Sequence, residues 1–443
     1  MTTLNCICCT TSAFGKNPYL PNIFYQERIQ KQDIISPSVC TSRYNDSMGA
    51  LGVLTWLTAA GTLGAAVFAG YLYSSLPPDV AEPRKVFIIK GFERTFYFVG
   101  WVCEKMGFSA RAPQPPPQAS HPNLEVTDTS FDGVRVRVYK PQGQEPGSKM
   151  AGLMWFHGGG WVIGSVDGYD ALVGHIANQT GAVVVSVEYR LAPEHKFPIP
   201  FEDCLTATQH FLQHASEYGV DPTRIGVAGD SAGGNLAAAV ALRLKKNDKK
   251  KFLPLKLQAL IYPALQAFDF QTPSYVSGHK FFVLLPVEMM TGFWIKYLNN
   301  NMSLVDMFAN NEHTAALKKS RFASFVERHF LDDSVPRLVP EDVSVDLPDD
   351  MKDLLNPYYS PLMAEDADLS GLPNTYVTVC GTDVLRDDGI MYARRLEMAG
   401  VQVRLARYPS GFHGIMSFSS KPFYLEVGKQ MLQDLTTFLR HHL

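Results

Sequence analysis

From residue 124 onward the apolar positions fall into short unbroken runs separated by stretches of helical spacing. Leu153-Met154-Trp155-Phe156, Val183 to Val187 and Ile225 to Ala228 are continuous apolar runs, the pattern of parallel strands buried on both faces. Leu257 to Tyr262, Tyr376 to Cys380 and Val401 to Tyr408 continue the series. Val134-Arg135-Val136-Arg137-Val138 alternates at period two instead, which predicts an early strand with one face in water. Tyr169 to Gln179, Phe201 to Tyr218, Leu236 to Leu244 and Met391 to Met398 supply the helices between. This alternation predicts the α/β class, a mostly parallel sheet with helices on both faces, over residues 124–443. Sites in such sheets lie beyond the carboxyl ends of the strands. Residues 266–360 interrupt the rhythm with aromatics and a charged, Pro-containing segment, read as a cap insertion over that site.

Upstream the pattern changes twice. Met48 to Tyr73 holds no charged residue. As a helix it reaches about 39 Å, more than the roughly 30 Å of a bilayer's hydrocarbon core. Tyr71 and Tyr73 sit at one end, as interfacial anchors do. A cleaved signal peptide and a buried core helix compete with this reading. The length of the stretch and its depth in the chain favour a transmembrane helix at 48–73. Residues 1–47 are polar and without periodicity, a disordered extension. Residues 74–123 form a membrane-proximal cap or linker segment. Phe87, Phe92, Phe96, Val99 and Trp101 there are read as covering something hydrophobic, before a stiff Pro-rich piece at 112–117.

Composition narrows the function classes. Apolar residues make up 46% and charged residues 19%, values of a well-buried globular chain. A formal net charge of −3 and the lack of a basic stripe give no reason to expect nucleic acid. No C-x-x-C pair or H-E-x-x-H helix offers a metal site, and neither a cofactor nor an obligate protein partner is implied. Of the seven cysteines, Cys103, Cys204 and Cys380 lie beyond the N-terminal region and are expected as buried free thiols.

The chemistry concentrates at the ends of the apolar runs. Gly229-Asp230-Ser231-Ala232-Gly233 follows the run 225–228 and precedes a helix, the strand–turn–helix context of a nucleophile elbow. His157-Gly158-Gly159-Gly160-Trp161 follows the run 153–156. Its bare backbone, with Ala232 N–H, can meet the negative charge that builds on a carbonyl oxygen during acyl transfer. Gly158, Gly159, Gly160 and Ala232 are therefore the candidate oxyanion hole, with His157 shaping the loop. A serine needs a base, and the base needs an orienting carboxylate. Asp383 and His413 follow the last two runs, in the order Ser–Asp–His that an α/β-hydrolase fold requires. Asp387 and Asp388 are the alternative acids, and Asp230 is read as supporting the elbow.

HGGGW, EYRLAPE (188–194), GDSAGG (229–234) and GTDVLRDD together resemble the hormone-sensitive-lipase-like branch of serine esterases. The likeness is to its arylacetamide deacetylase and, more closely, its neutral cholesterol ester hydrolase group, carried by residues 255–275, 356–366 and 380–397. It spans about residues 48–443; residues 1–47 have no counterpart, and the charged insert 313–350 matches nothing in it. The resemblance implies a single-pass type II anchor, a lumenal catalytic domain at the endoplasmic reticulum membrane and an apolar ester substrate. Cholesteryl esters or acetylated ether acylglycerols lead, and small aromatic esters and amides are the alternative. A catalytically silent lipid-binding protein is the reading from another class. Flanking Lys and Arg do not fix orientation. Of the sequons, Asn45 precedes the apolar stretch while Asn178 and Asn301 follow it, so a lumenal domain would carry glycan at Asn178 or Asn301.

Overall fold

The structure, a computed structural model, describes residues 76–105, 121–145, 147–247, 252–278, 280–314, 317–331, 349–420 and 424–443. The extension 1–47 and the apolar stretch 48–73 lie outside the described residues. Among the described residues no helix is long and apolar enough to cross a membrane.

Among the described residues eight strands form one sheet: β1 Leu124–Phe131, β2 Val134–Pro141, β3 Met150–Phe156, β4 Val183–Val187, β5 Val220–Asp230, β6 Leu257–Ile261, β7 Asn374–Thr382 and β8 Val403–Phe412. Their order is β1-β2-β4-β3-β5-β6-β7-β8. β2 runs antiparallel to both neighbours and every other pairing from β4 to β8 is parallel. The longer helices are α1 Pro83–Lys105, α2 Val166–Thr180, α3 Ile199–His214, α4 Ala232–Asn247, α5 Val287–Leu298, α6 Arg386–Met398 and α7 Glu426–His442. This is the mostly parallel α/β sheet that the apolar runs predict. β3, β4 and β6 are buried at every position, which is why they read as unbroken apolar runs.

Two elements lie outside those the pattern picks out. β1 is an edge strand exposed at all but its two ends, so it carries no apolar signal and is held by its antiparallel register with β2. α7 shows a helical stripe of Met431, Leu432, Leu435, Phe438 and Leu439, all buried.

β2 itself corrects the half-exposed reading. Arg137 is buried because a carboxylate cluster receives it: Asp128 at 2.6 Å, Asp167 at 2.9 Å and Asp170 at 3.2 Å. Tyr139 donates to the same Asp170 at 2.8 Å. A polar residue at period two signals solvent only when no partner waits for it inside. Cys204 and Cys380 are buried free thiols, as expected, and burial pushes both thiols well up.

Segment 266–360 contains no strand among its described residues and carries α5 and a series of short helical turns. Segment 74–123 divides by face. Val86 and Ile89 of α1 are buried, whereas Phe87, Ile88 and Phe92 are exposed.

Candidate active site

The end of β5 turns into α4 through Ser231, whose backbone sits at φ 57, a left-handed conformation that a residue with a Cβ adopts at a cost. The strain holds because nothing larger than glycine fits on either side. A Cβ on Gly229 would lie 2.4 Å from the Gly233 carbonyl, and one on Gly233 only 1.9 Å from the carbonyl oxygen of Phe156. Ser231 N–H donates to Ile261 O at 2.8 Å, and Ser231 O accepts from Asn235 N–H at 3.1 Å. The hydroxyl is left to point away from both strands.

It points at His413. Ser231 Oγ lies 2.9 Å from His413 Nε2, and His413 Nδ1 lies 2.9 Å from Asp383 Oδ2. With the carboxylate as acceptor, the Nδ1 proton faces Asp383 and Nε2 faces the hydroxyl. Asp383 Oδ1 accepts from Leu385 N–H at 2.9 Å, which fixes the carboxylate plane. Tyr262 meets the imidazole edge-on at 4.9 Å between centroids.

The alternative acids go elsewhere. Asp387 Oδ2 accepts from Ser274 N–H at 2.7 Å, and Ser274 Oγ donates to Val384 O at 2.7 Å. Asp388 accepts from Leu265 N–H at 3.2 Å and Gln266 Nε2 at 2.9 Å, and burial holds its carboxyl well above the ordinary range. Both carboxylates thus fasten the start of segment 266–360 to the loop that presents Asp383.

The glycine loop divides its N–H groups between two tasks. Gly158 N–H donates to Asp230 Oδ1 at 3.0 Å and lies 3.1 Å from the Tyr169 hydroxyl. It is therefore not an oxyanion donor, and its place in that set is corrected. The N–H groups of Gly159, Gly160 and Ala232 have no acceptor among the described residues. Asp230 also accepts from Tyr169 Oη at 2.9 Å, so it ties the serine elbow to the glycine loop. It does support the elbow, through a partner the sequence does not mark: Tyr169 lies on α2, 61 residues before Asp230, with no motif to tie the two. Burial pushes the Asp230 carboxyl up to about 6, against the lowering effects of Tyr169, His413 and Gly158. His157 is fully buried, stacks on Tyr189 at 4.2 Å and lies 2.8 Å from Gly158 O through Nδ1. Burial lowers its pKa to about 4, so it shapes the loop as a neutral ring.

Segment 266–360 reaches this loop through α5. A Cβ on Gly160 would lie 2.3 Å from the Phe293 ring, so that ring stands directly over the backbone donors. Trp161 stacks on Tyr297 at 4.5 Å and touches Trp294 at the same distance. α5 is apolar nearly all round, so the sequence does not single out Phe293. Asn178 and Asn301 are exposed and take no part in the site.

A serine held by an imidazole and a carboxylate, on a mostly parallel sheet with backbone donors vacant beside it, defines the class: an α/β serine ester hydrolase. Comparison with known proteins agrees. Residues 153–324 and 326–417 match the family described by the alpha/beta hydrolase fold. Arylacetamide deacetylase of Bos taurus is 39% identical over 395 residues, 85% of this chain and 97% of that one. Neutral cholesterol ester hydrolase 1 of Rattus norvegicus is 39% identical over 386 residues, 82% and 93% of the two chains. Among solved structures, a thermostable esterase from Pseudomonas putida matches with TM-score 0.63 and 27% identity, over 83% of this chain and 99% of that one. The chain belongs to the α/β-hydrolase family, in the hormone-sensitive-lipase-like branch that holds arylacetamide deacetylase and neutral cholesterol ester hydrolase.

Proposed function

We propose that the chain is a membrane-anchored esterase that cleaves apolar lipid esters through an acyl-enzyme on Ser231. The observation that carries the mechanism is the unbroken line Ser231 Oγ, His413 Nε2, His413 Nδ1, Asp383 Oδ2, with both hydrogen bonds at 2.9 Å. Ser231 attacks the ester carbonyl while His413 takes its proton, and Asp383 holds the imidazolium in place. The N–H groups of Gly159, Gly160 and Ala232 receive the oxyanion. His413 then protonates the departing alcohol, and a water activated by the same imidazole releases the acid. Ser231→Ala and His413→Ala are each expected to lower kcat for a nitrophenyl butyrate by on the order of a thousandfold or more with the fold intact. Near-parental turnover by Ser231→Ala overturns the mechanism.

A bulky apolar substrate fits the surroundings. Phe293 overhangs the donors, with Trp161, Trp294 and Tyr297 clustered next to them. These favour cholesteryl esters or acetylated ether acylglycerols. The second reading, small aromatic esters and amides, is supported by the equal identity to arylacetamide deacetylase. Measuring kcat/KM across acyl lengths separates them: a sharp optimum at acetyl with arylacetamides cleaved favours the second. Localisation follows the same reading, with residues 48–73 anchoring a catalytic domain in the lumen of the endoplasmic reticulum.

A further inference from the structure

α1 presents large apolar side chains on the face turned away from the core. Ile88 is 52% exposed and Phe92 63%, one helical turn apart, with Phe87 at 42% beside them. Val86, Ile89 and Lys90 on the opposite face are buried. Single exposed hydrophobics are ordinary on a soluble surface. Three within six residues, on a helix packed beside a catalytic loop, mark an interaction surface.

The position of α1 follows from its buried face. Val86 and Ile89 share one hydrophobic cluster with Ile415 and Met416, which follow His413 by two and three residues. Lys90 Nζ donates to Phe282 O, and Phe281 beside it is 38% exposed. Leu284 of the same loop would touch a Cβ on Gly414 at 3.5 Å. The buried face of α1 and the stretch from Phe281 to Leu284 thus border the loop that presents the catalytic imidazole, with the exposed face of α1 on the other side of the same helix.

We propose that Phe87, Ile88, Phe92 and Phe281 form a lip that inserts into the surface of a lipid bilayer and sets the mouth of the active site against it. Chain connectivity favours lipid as the occupant. Pro83 lies ten residues after Tyr73, the end of the uncharged stretch, so at most about 35 Å of extended chain separates them. With that stretch across a bilayer, α1 stays within about 35 Å of the interface, where aromatic side chains are favoured. Two of the cations nearby are paired: Lys85 contacts Glu82, and Lys429 lies 3.8 Å from Glu426. Insertion is therefore driven by apolar area, and a zwitterionic bilayer suffices. The lip places the loop of the catalytic imidazole beside the bilayer that holds a water-insoluble ester. This inference rests on the membrane-anchored reading above and adds an orientation to it.

The test uses the full chain in phosphatidylcholine vesicles. Ile88→Ser/Phe92→Ser is expected to leave kcat/KM for a water-soluble nitrophenyl butyrate unchanged. It should lower kcat/KM for a long-chain ester embedded in the vesicle by on the order of tenfold, as apolar contact is lost. An environment-sensitive fluorophore on Ile88→Cys, with the labelled parental chain as background, should be quenched by lipid-borne nitroxides. Equal loss on both substrates, or an unquenched probe while the chain still floats with vesicles, overturns the lip and leaves the anchor standing. Concentration-dependent crosslinking of that cysteine to its copy in a second chain, without quenching, assigns the face to self-association instead and overturns it too. A parental chain that does not float with vesicles overturns the anchor and the lip together.

Discussion

Asp230→Asn separates what the buried carboxylate does for stability from what it does for catalysis. Asp230 is 3% exposed and its carboxyl is pushed from 3.8 up to about 6, with burial the largest cause. An acid whose pKa is higher folded than unfolded contributes its full stability below the unfolded value. That contribution is lost as pH rises through the folded value. The gap from 3.8 to about 6 corresponds to about 3 kcal/mol, lost between roughly pH 4 and pH 6. Asparagine keeps an oxygen for Gly158 N–H and removes the ionisation, but Tyr169 Oη loses its charged acceptor, at about 1–2 kcal/mol. Urea unfolding of both proteins from pH 4 to pH 8 isolates the effect, because every other titrating group cancels in the difference. The stability of the Asp230→Asn variant relative to the parent should rise by about 3 kcal/mol across that range. Turnover should move the other way. Loosening the tie to Gly158 displaces the adjacent donors at Gly159 and Gly160, and small misplacements cost roughly ten- to hundredfold in kcat. Parallel pH–stability curves, or unchanged kcat, would refute the account of Asp230.

Three further outcomes follow from the geometry. Gly160→Ala puts a Cβ 2.3 Å from the Phe293 ring at φ 61, so kcat/KM should fall at least about a hundredfold. Adding Phe293→Ala should recover part of it, and Phe293→Ala alone should shift preference toward longer acyl chains; no recovery would remove Phe293 from above the donors. Gly233→Ala, with its Cβ 1.9 Å from Phe156 O, should cost several kcal/mol, about 10 °C or more in Tm. A parental Tm would contradict the packing of the elbow. For the lumenal reading, Asn301→Gln should abolish a glycosidase-sensitive mobility shift. Asn301 is exposed in a turn where its Oδ1 accepts from Ser303 Oγ at 2.7 Å, whereas the Thr180 hydroxyl of the Asn178 sequon donates into its own helix at Ile176 O. A shift lost only with Asn45→Gln would invert the topology.

The legible parts of the chain were those in which local pattern and tertiary role coincide. β3, β4 and β6 are buried on both faces, so their unbroken apolar runs could not sit elsewhere. Ser231, Asp383 and His413 each follow the end of a strand, where chain order and turn chemistry mark them. What stayed hidden depended on partners distant in sequence. Arg137 reads as solvent-facing until Asp128, Asp167 and Asp170 gather around it. Gly158 reads as a donor to substrate until Asp230, 72 residues on, is seen to occupy it. Phe293 comes from a helix with no polar face to orient it, and its direction is set only by packing against Gly160.

The bonds from Asp387 to Ser274 and from Asp388 to Gln266 have a mechanical consequence. They anchor the start of the covering segment to the first turn of α6, and Ser274 Oγ extends the tie to Val384 O beside Asp383. Residues 265–274 therefore act as a fixed jamb for the covering segment. A force on that jamb reaches the carboxylate side of the triad through Asp387 and the serine side through Ala264 N–H, which donates to Ser231 O at 3.3 Å.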